Sequence, residues 1–420
     1  MSIKAIKEKI RQRAISRYSS MLSADKIDEN AVKDMLERVA AEVIGHEQIS
    51  IPDEEKNKII CDLYDEFIGL GPIEDFLKDN QVTEIMINGH KNAYVERAGQ
   101  REVVDMALDD ERRLMQIIYK ILTGKRRRVD ETNPYTEVAI RDGSRVNIVI
   151  PPLAVDGPVI TIRKFSKEIK VIEDLISLGT LDRRMADFLI AAIKAKLNII
   201  FSGATGAGKT TALNVLSSYI SDKERIITIE DTVELRLAQE HVVRLEARQV
   251  NIEGKGAISI RELFKNSLRM RPDRIIIGEI RGSEALDMLQ AICSGHTGSL
   301  AVVHANSPQD VISRLEMMIL TSGIMITTEV IHRQIANAIN IIIQHTQFSD
   351  GSRKITNISQ VNGLRDGRVV LEDVFVYEMK GIDASGKVEG AWRATGVVPA
   401  FGSIFKKAGI DLPQDIFQKG

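Results

Sequence analysis

The sequence predicts an α/β protein, a largely parallel sheet flanked by helices, preceded by a small α+β region and an N-terminal helical bundle. Three observations carry this. Short Ile/Val-rich runs alternate with helical segments from residue 197 onward, as strands buried on both faces of a parallel sheet require. A glycine-rich loop joins the first such run to a helix. Upstream, helical periodicity fills residues 3–68, and turn-punctuated strand signals follow to about residue 165.

A chain of 420 residues exceeds one ordinary domain. The expected division is a helical bundle over 1–69, an α+β domain over 70–165 and a linker over 166–175. The α/β core over 176–345 and a C-terminal β/tail region over 346–420, packed on that core, complete it. Lys plus Arg number 57 against 59 Asp plus Glu, a net charge of −2 without the basic excess of a nucleic-acid binder. Only two cysteines occur, Cys61 and Cys293, neither in a C-x-x-C pair. That fits a reducing compartment and excludes a four-cysteine zinc site, so no structural metal is expected. The opening MSIKAIKEKIRQR has no apolar signal core, and the longest apolar stretch, 188–201, is broken by Lys194, Lys196 and Asn198. The expected location is the cytoplasm.

In the first region, Val32, Met35, Leu36, Val39 and Val43 share one helical face, and Ile59, Ile60, Leu63 and Phe67 share another. The sequence GLGP (69–72) ends the helices. Strands are expected at 82–87, 93–96 and 102–106, with turns at Asn88-Gly89 and Ala98-Gly99, then a helix over 114–122 ending at Gly124. The basic run 125–128 has no interleaved aromatic residues and reads as a solvated surface. Segments 138–141 and 145–150 flank Asp142-Gly143 as a hairpin, and 159–164 is the last strand. Arg141, Arg145 and Arg163 lie at strand or turn positions here. They either pair with local acids or reach a phosphate held by the next domain.

That phosphate is implied by residues 198–211, NIIFSGATGAGKTT. Gly203, Ala204, Thr205, Gly206, Ala207, Gly208, Lys209 and Thr210 match G-x-x-x-x-G-K-[ST] at every fixed position, between a strand and a helix that opens at Thr211. Consecutive N–H groups and the helix dipole there favour an anion. Lys209 would neutralise β- and γ-phosphates, and the Thr210 hydroxyl would ligate Mg²⁺.

Later strands deliver polar groups at their carboxyl ends, where open α/β sheets collect ligands. One run ends in Glu230-Asp231 with Glu234 following, RIIIGE ends in Glu279, and another ends at His304. Glu279 can hold Mg²⁺ or orient water. Gly278 stands where many phosphate-loop enzymes have an aspartate, so Glu230 is a second candidate base. His296 and His304 lack a third ligand nearby for zinc and suit hydrogen bonding to a γ-phosphate or coupling it to a neighbouring subunit. Arg281 either faces the phosphates or pairs with Glu284.

ITIEDTVEL (227–235), RMRPDRIIIGEIRGSEALDMLQA (269–291) and SGHTGSLAVVHANSP (294–308) resemble the Asp box, Walker B segment and His box of the secretion-superfamily ATPases. DGSRVNIVIPP (142–152) and VITIRKFS (159–166) resemble the Tad/Flp pilus-assembly (CpaF-type) branch. The resemblance, over about 62–377, implies a RecA-like P-loop ATPase core behind a PAS-like N-terminal domain. It further implies a homo-hexamer using ATP and Mg²⁺ at the cytoplasmic face of the inner membrane, working against platform proteins there. Arg141, Arg145 and Arg163 would then serve ATP at subunit boundaries. The zinc element of the type II branch is absent from this sequence. Two alternatives compete with an ATPase of this kind: a conjugation-type nucleic-acid motor of the same fold, and a nucleotide-gated adaptor that does not hydrolyse.

Overall fold

The computed structural model describes residues 3–22, 28–47, 49–97, 99–106, 108, 110–124, 127–140, 142–164, 169–248 and 255–419. It divides into two units, Met1–Phe165 and Ser166–Gly420. Arg141, Lys125, Arg126, Ala98 and residues 166–168 of the expected linker lie outside the described residues.

The first unit opens with α1 (Ile3–Leu22), α2 (Glu29–His46) and α3 (Asp53–Phe67). Asp28 caps α2 by accepting from the Asn30 and Ala31 N–H groups, and three acids in the first turn of α3 complement its dipole. The apolar faces meet in one cluster through Ile6, Ile10, Leu36, Val39 and Leu63. After the short α4 (Glu74–Lys78) come β1 (Val82–Asn88), β2 (Asn92–Arg97) and β3 (Gln100–Val104). Helix α5 (Glu111–Leu122), β4 (Tyr135–Ala139), β5 (Arg145–Val149) and β6 (Val159–Arg163) complete the unit. The strands form one antiparallel sheet in the order β3-β2-β1-β6-β5-β4. Alternate residues such as Ile85, Ile87, Val146, Ile148 and Ile160 bury against Leu114, Ile118 and Ile121 of α5.

The second unit runs α6 (Ile172–Ser177), α7 (Arg183–Lys194), β7 (Ile199–Gly203), α8 (Lys209–Ser217), β8 (Ile226–Glu230) and β9 (Val242–Glu246). Next come α9 (Ile260–Ser267), β10 (Arg274–Ile277), α10 (Glu284–Cys293), β11 (Leu300–Val303), α11 (Pro308–Leu320) and α12 (Thr328–Ala338). The end is β12 (Ile341–Gln347), β13 (Arg353–Arg365), β14 (Arg368–Ile382), β15 (Val388–Ala394) and α13 (Gly402–Lys407). Nine strands form one sheet, β15-β14-β13-β12-β7-β11-β10-β8-β9. From β12 to β9 every neighbour is parallel, and β7, β8, β10 and β11 are buried along their whole length. Helices on both faces cover these strands in two separate apolar clusters. No described helix is long and apolar enough to cross a membrane.

The C-terminal strands add to this sheet in antiparallel fashion. Asp366 and Gly367 both take positive φ, 49° and 74°, the backbone a two-residue hairpin needs. The tail then folds back. Phe405 and Phe417 set their rings 6.3 and 5.6 Å from Phe188 of α7, and Phe401 joins the same cluster.

Candidate active site

The parallel strands fix which residues share an edge. β7 runs into the glycine loop and α8, so the carboxyl ends of β8, β10 and β11 open on the same side. Gly203, with φ of 147°, lies so close to β12 that an added Cβ would sit 2.4 Å from the His345 carbonyl oxygen; only glycine fits. Lys209 begins α8 and is 5% exposed. Its ammonium donates to the Gly203 and Ala204 carbonyls at 2.9 and 2.7 Å and lies 3.4 Å from His304 Nδ1.

From Lys209 a connected chain of polar groups crosses three strand ends. His304 Nε2 lies 3.2 Å from Glu279 Oε1, Arg281 donates to Glu279 Oε2 at 2.7 Å, and Arg281 also pairs with Asp231 at 3.6 Å. Nδ1 of His304 can accept from Lys209 only when it carries no proton, which leaves the Nε2 proton to donate to Glu279. Burial alone would raise the Glu279 carboxyl, but the hydrogen bonds from His304 and Arg281 hold it down at about 2. Thr210 and Thr211, half-buried in the first turn of α8, follow Lys209.

Glu230 sits beside this chain in a different state. It is 3% exposed; Oε2 accepts from the Glu234 and Leu235 N–H groups at 2.8 and 3.0 Å, and Oε1 has no hydrogen-bond partner. Burial pushes its carboxyl up to about 7 against those two N–H groups. A Cβ on Gly278 would fall 2.8 Å from Glu230 Cγ, so Glu230 fills the space an aspartate there would need. Because this value lies above the ordinary 4.5, Glu230 supports the fold fully below that pH and loses that support as pH rises through 7. Glu230→Gln is therefore expected to gain about 3 kcal/mol on the wild type between pH 5 and 8, read by urea unfolding. A gap that does not change with pH would refute the buried neutral acid.

His296 does not join the cluster. It precedes β11 whereas His304 follows it, so it belongs to the opposite edge, where its ring Nδ1 lies 3.2 Å from the Ala291 carbonyl at the end of α10. The Arg281 side chain pairs with Glu279 and Asp231, and the Glu284 carboxylate accepts from the Arg281 and Gly282 backbone N–H groups. In the first unit Arg145 pairs with Glu137 and stands opposite exposed Arg163 in the β5–β6 register. Two like charges at facing positions repel and favour an anion between them.

Three residues without a role in the sequence reading also face the loop: Gln344, His345 and Arg353. Gln344, His345, Asn306 and Thr205 line a cavity of about 370 Å³ beside it. His345 is buried, stacked on Phe201 with both ring nitrogens unpartnered, and burial together with the Lys209 charge pushes it down to about 3. The polar step from Ile343 to Gln344-His345 lies inside β12, where His345 pairs with Gly203 at the end of β7, and it ends an apolar run as Glu230, Glu279 and His304 do.

The residues present fit a Mg-nucleotide. The glycines at 203, 206 and 208 hold positive φ around a helix N-terminus, and a cation, a hydroxyl and an ionised carboxylate converge on it.

A family model described as type II/IV secretion system protein matches residues 66–387. A putative conjugal transfer protein of Mycobacterium tuberculosis is 30% identical over 313 residues, 73% of this chain and 88% of that protein. The protein VirB11 of Agrobacterium fabrum is 32% identical over 313 residues, 67% and 89% of the two chains. The crystal structure of the VirB11 ATPase of the Brucella suis type IV secretion system, in complex with sulphate, is 27% identical with a TM-score of 0.38, covering 69% of this chain and 92% of that one. With residues 66–387 matched by the family model and a 30% identical relative spanning 73% of the chain, the chain belongs to the type II/IV secretion system protein family.

Proposed function

We propose that the chain is a hexameric motor that hydrolyses Mg-ATP at the cytoplasmic face of the inner membrane and powers assembly of a Tad/Flp-type pilus or related secretion machinery through platform proteins. The observation that carries this is the continuous path Lys209–His304–Glu279 across the carboxyl ends of the sheet. The finer Tad/Flp assignment rests on the segments 142–152 and 159–166.

In this reading residues 203–211 cradle the phosphates, and Lys209 exchanges its carbonyl partners for phosphate oxygens. Thr210 and Glu279 would hold Mg²⁺, which would supply charge neutralisation to the bound phosphates. Glu279, ionised, orients the attacking water. Glu230, whose value of about 7 matches the working pH, is the carboxyl suited to take its proton. Asp231 holds Arg281 against Glu279, and Glu234 contributes the N–H that fixes Glu230. Arg145 and Arg163, with Arg141, approach the γ-phosphate of a neighbouring subunit.

Hydrolysis measured against protein concentration, with sizing in the presence of a non-hydrolysable analogue, tests the shared site. The rate per molecule should climb until the ring forms; a rate independent of concentration down to monomer would remove the trans arginines. The conjugal-transfer names of the relatives favour a second reading, a nucleic-acid motor. DNA-stimulated turnover that falls steeply with salt would establish it in place of the first.

A further inference from the structure

Arg353 opens β13 beside the phosphate loop, although 147 residues separate it from Gly206. Its Nε donates to the Gly206 carbonyl oxygen at 2.7 Å. Its side-chain stem lies under the loop as well: a Cβ on Gly208 would be 3.5 Å from Arg353 Cδ. Gln347, its Cα partner across the β12–β13 register, completes the seat, with Oε1 3.1 Å from where a Gly206 Cβ would stand.

The turn that presents Arg353 is itself anchored. Phe348 N–H donates to Ser352 O at 2.8 Å, and Asp350 accepts from the Ser352 and Val388 N–H groups at 2.9 and 2.8 Å. The next residue, Lys354, points the other way, donating to Gly179 O and stacking over Tyr377 and Trp392. The guanidinium is thus delivered to the loop by a turn tied to β15 and to the end of α6.

We propose that Arg353 is a positioning residue for nucleotide, pinning the Gly206 carbonyl so that the loop presents its N–H groups to the phosphates. In a trans peptide C=O and N–H point to opposite sides. Holding the Gly206 oxygen toward β13 therefore turns the Ala207 N–H to the other side, into the loop, where it now lies 3.3 Å from Ala204 O. A permanently charged donor also adds positive potential behind an anion site without needing to touch the anion. This inference rests on the nucleotide reading above, but the pinning itself exists without nucleotide and is measured separately.

The experiment compares the full chain carrying Arg353→Met, which keeps the stem and removes the donor, with Arg353→Lys, which keeps a charged donor. Hydrogen exchange of residues 203–208 without nucleotide should quicken in R353M and stay near wild type in R353K. Binding of a fluorescent ATP analogue should weaken about tenfold in R353M and recover to within a few-fold in R353K, with the melting temperatures of all three alike. Wild-type exchange in R353M overturns the proposal. So does equal weakening of both variants together with a fallen melting temperature, the signature of lost packing alone. Should exchange behave as expected while the wild type binds no ATP, the nucleotide role of Arg353 falls together with the ATPase reading, and the pinning contact alone survives.

Discussion

Lys209→Ala is expected to lower ATP turnover by roughly 10³-fold or more, measured as phosphate release at saturating ATP. The side chain is nearly buried, and its ammonium touches three acceptors at once: the Gly203 and Ala204 carbonyls and His304 Nδ1. Two of these are loop backbone, so the cation holds the closed cradle and is already where γ-phosphate charge would develop. Alanine removes that charge and frees His304 from the contact that fixes its tautomer, so Glu279 loses a defined donor in the same step. A preorganised cation in a water-poor site is worth far more than one in bulk solvent. The fold should survive, because α8 keeps its apolar face, Ala212, Leu213, Val215 and Leu216, in the core. Turnover unchanged in this variant would refute the phosphate-gripping role of the loop.

The elements around this site were legible because each leaves a local mark. Strands buried on both faces read as unbroken Ile/Val runs, and the glycine loop has fixed residues at fixed spacing. Polar residues ending apolar runs placed Glu230, Glu279 and His304 on one edge, since parallel strands all end there. The same logic misplaces His296, which lies eight residues before His304 but on the other side of β11. β9 left no comparable signal: Val242–Glu246 is an edge strand, half exposed, so apolar residues are not required along it. β15 was missed for a related reason, as it is an edge strand with three consecutive exposed positions. Arg353 could not be read at all. Its contact with Gly206 depends on how far β12 extends before turning, a register that no local spacing encodes. Nor could the contrast between the two acids: Glu230 and Glu279 both end strands, and only packing pushes the carboxyl of one up to about 7 and holds the other down at about 2.

Glu279→Gln is expected to keep nucleotide bound while slowing hydrolysis by about 10²-fold or more. Both oxygens of Glu279 accept, one from His304 Nε2 and the other from Arg281. An amide of the same shape offers one acceptor and one donor group, so its NH₂ must face a donor. If it faces His304, the imidazole must shift its proton to Nδ1, where it collides with the Lys209 ammonium; if it faces Arg281, that guanidinium is released toward Asp231. Either way the path from Lys209 to Arg281 breaks at its centre, and the charge that orients water is gone. Binding is spared because the loop and the α8 N–H groups remain, Lys209 keeps its contacts to the Gly203 and Ala204 carbonyls, and Thr210 remains to hold Mg²⁺. The pH dependence separates the two acids. Glu279 is ionised throughout the working range, so an acid limb near pH 7 belongs to a group such as Glu230 and should persist in Glu279→Gln at its lower ceiling, while Glu230→Gln abolishes it. Single-turnover hydrolysis across pH 5 to 9 with both variants reads this directly. Turnover of Glu279→Gln within a few-fold of wild type would remove Glu279 from the chemistry, and loss of nucleotide in parallel with rate would reduce it to a binding group.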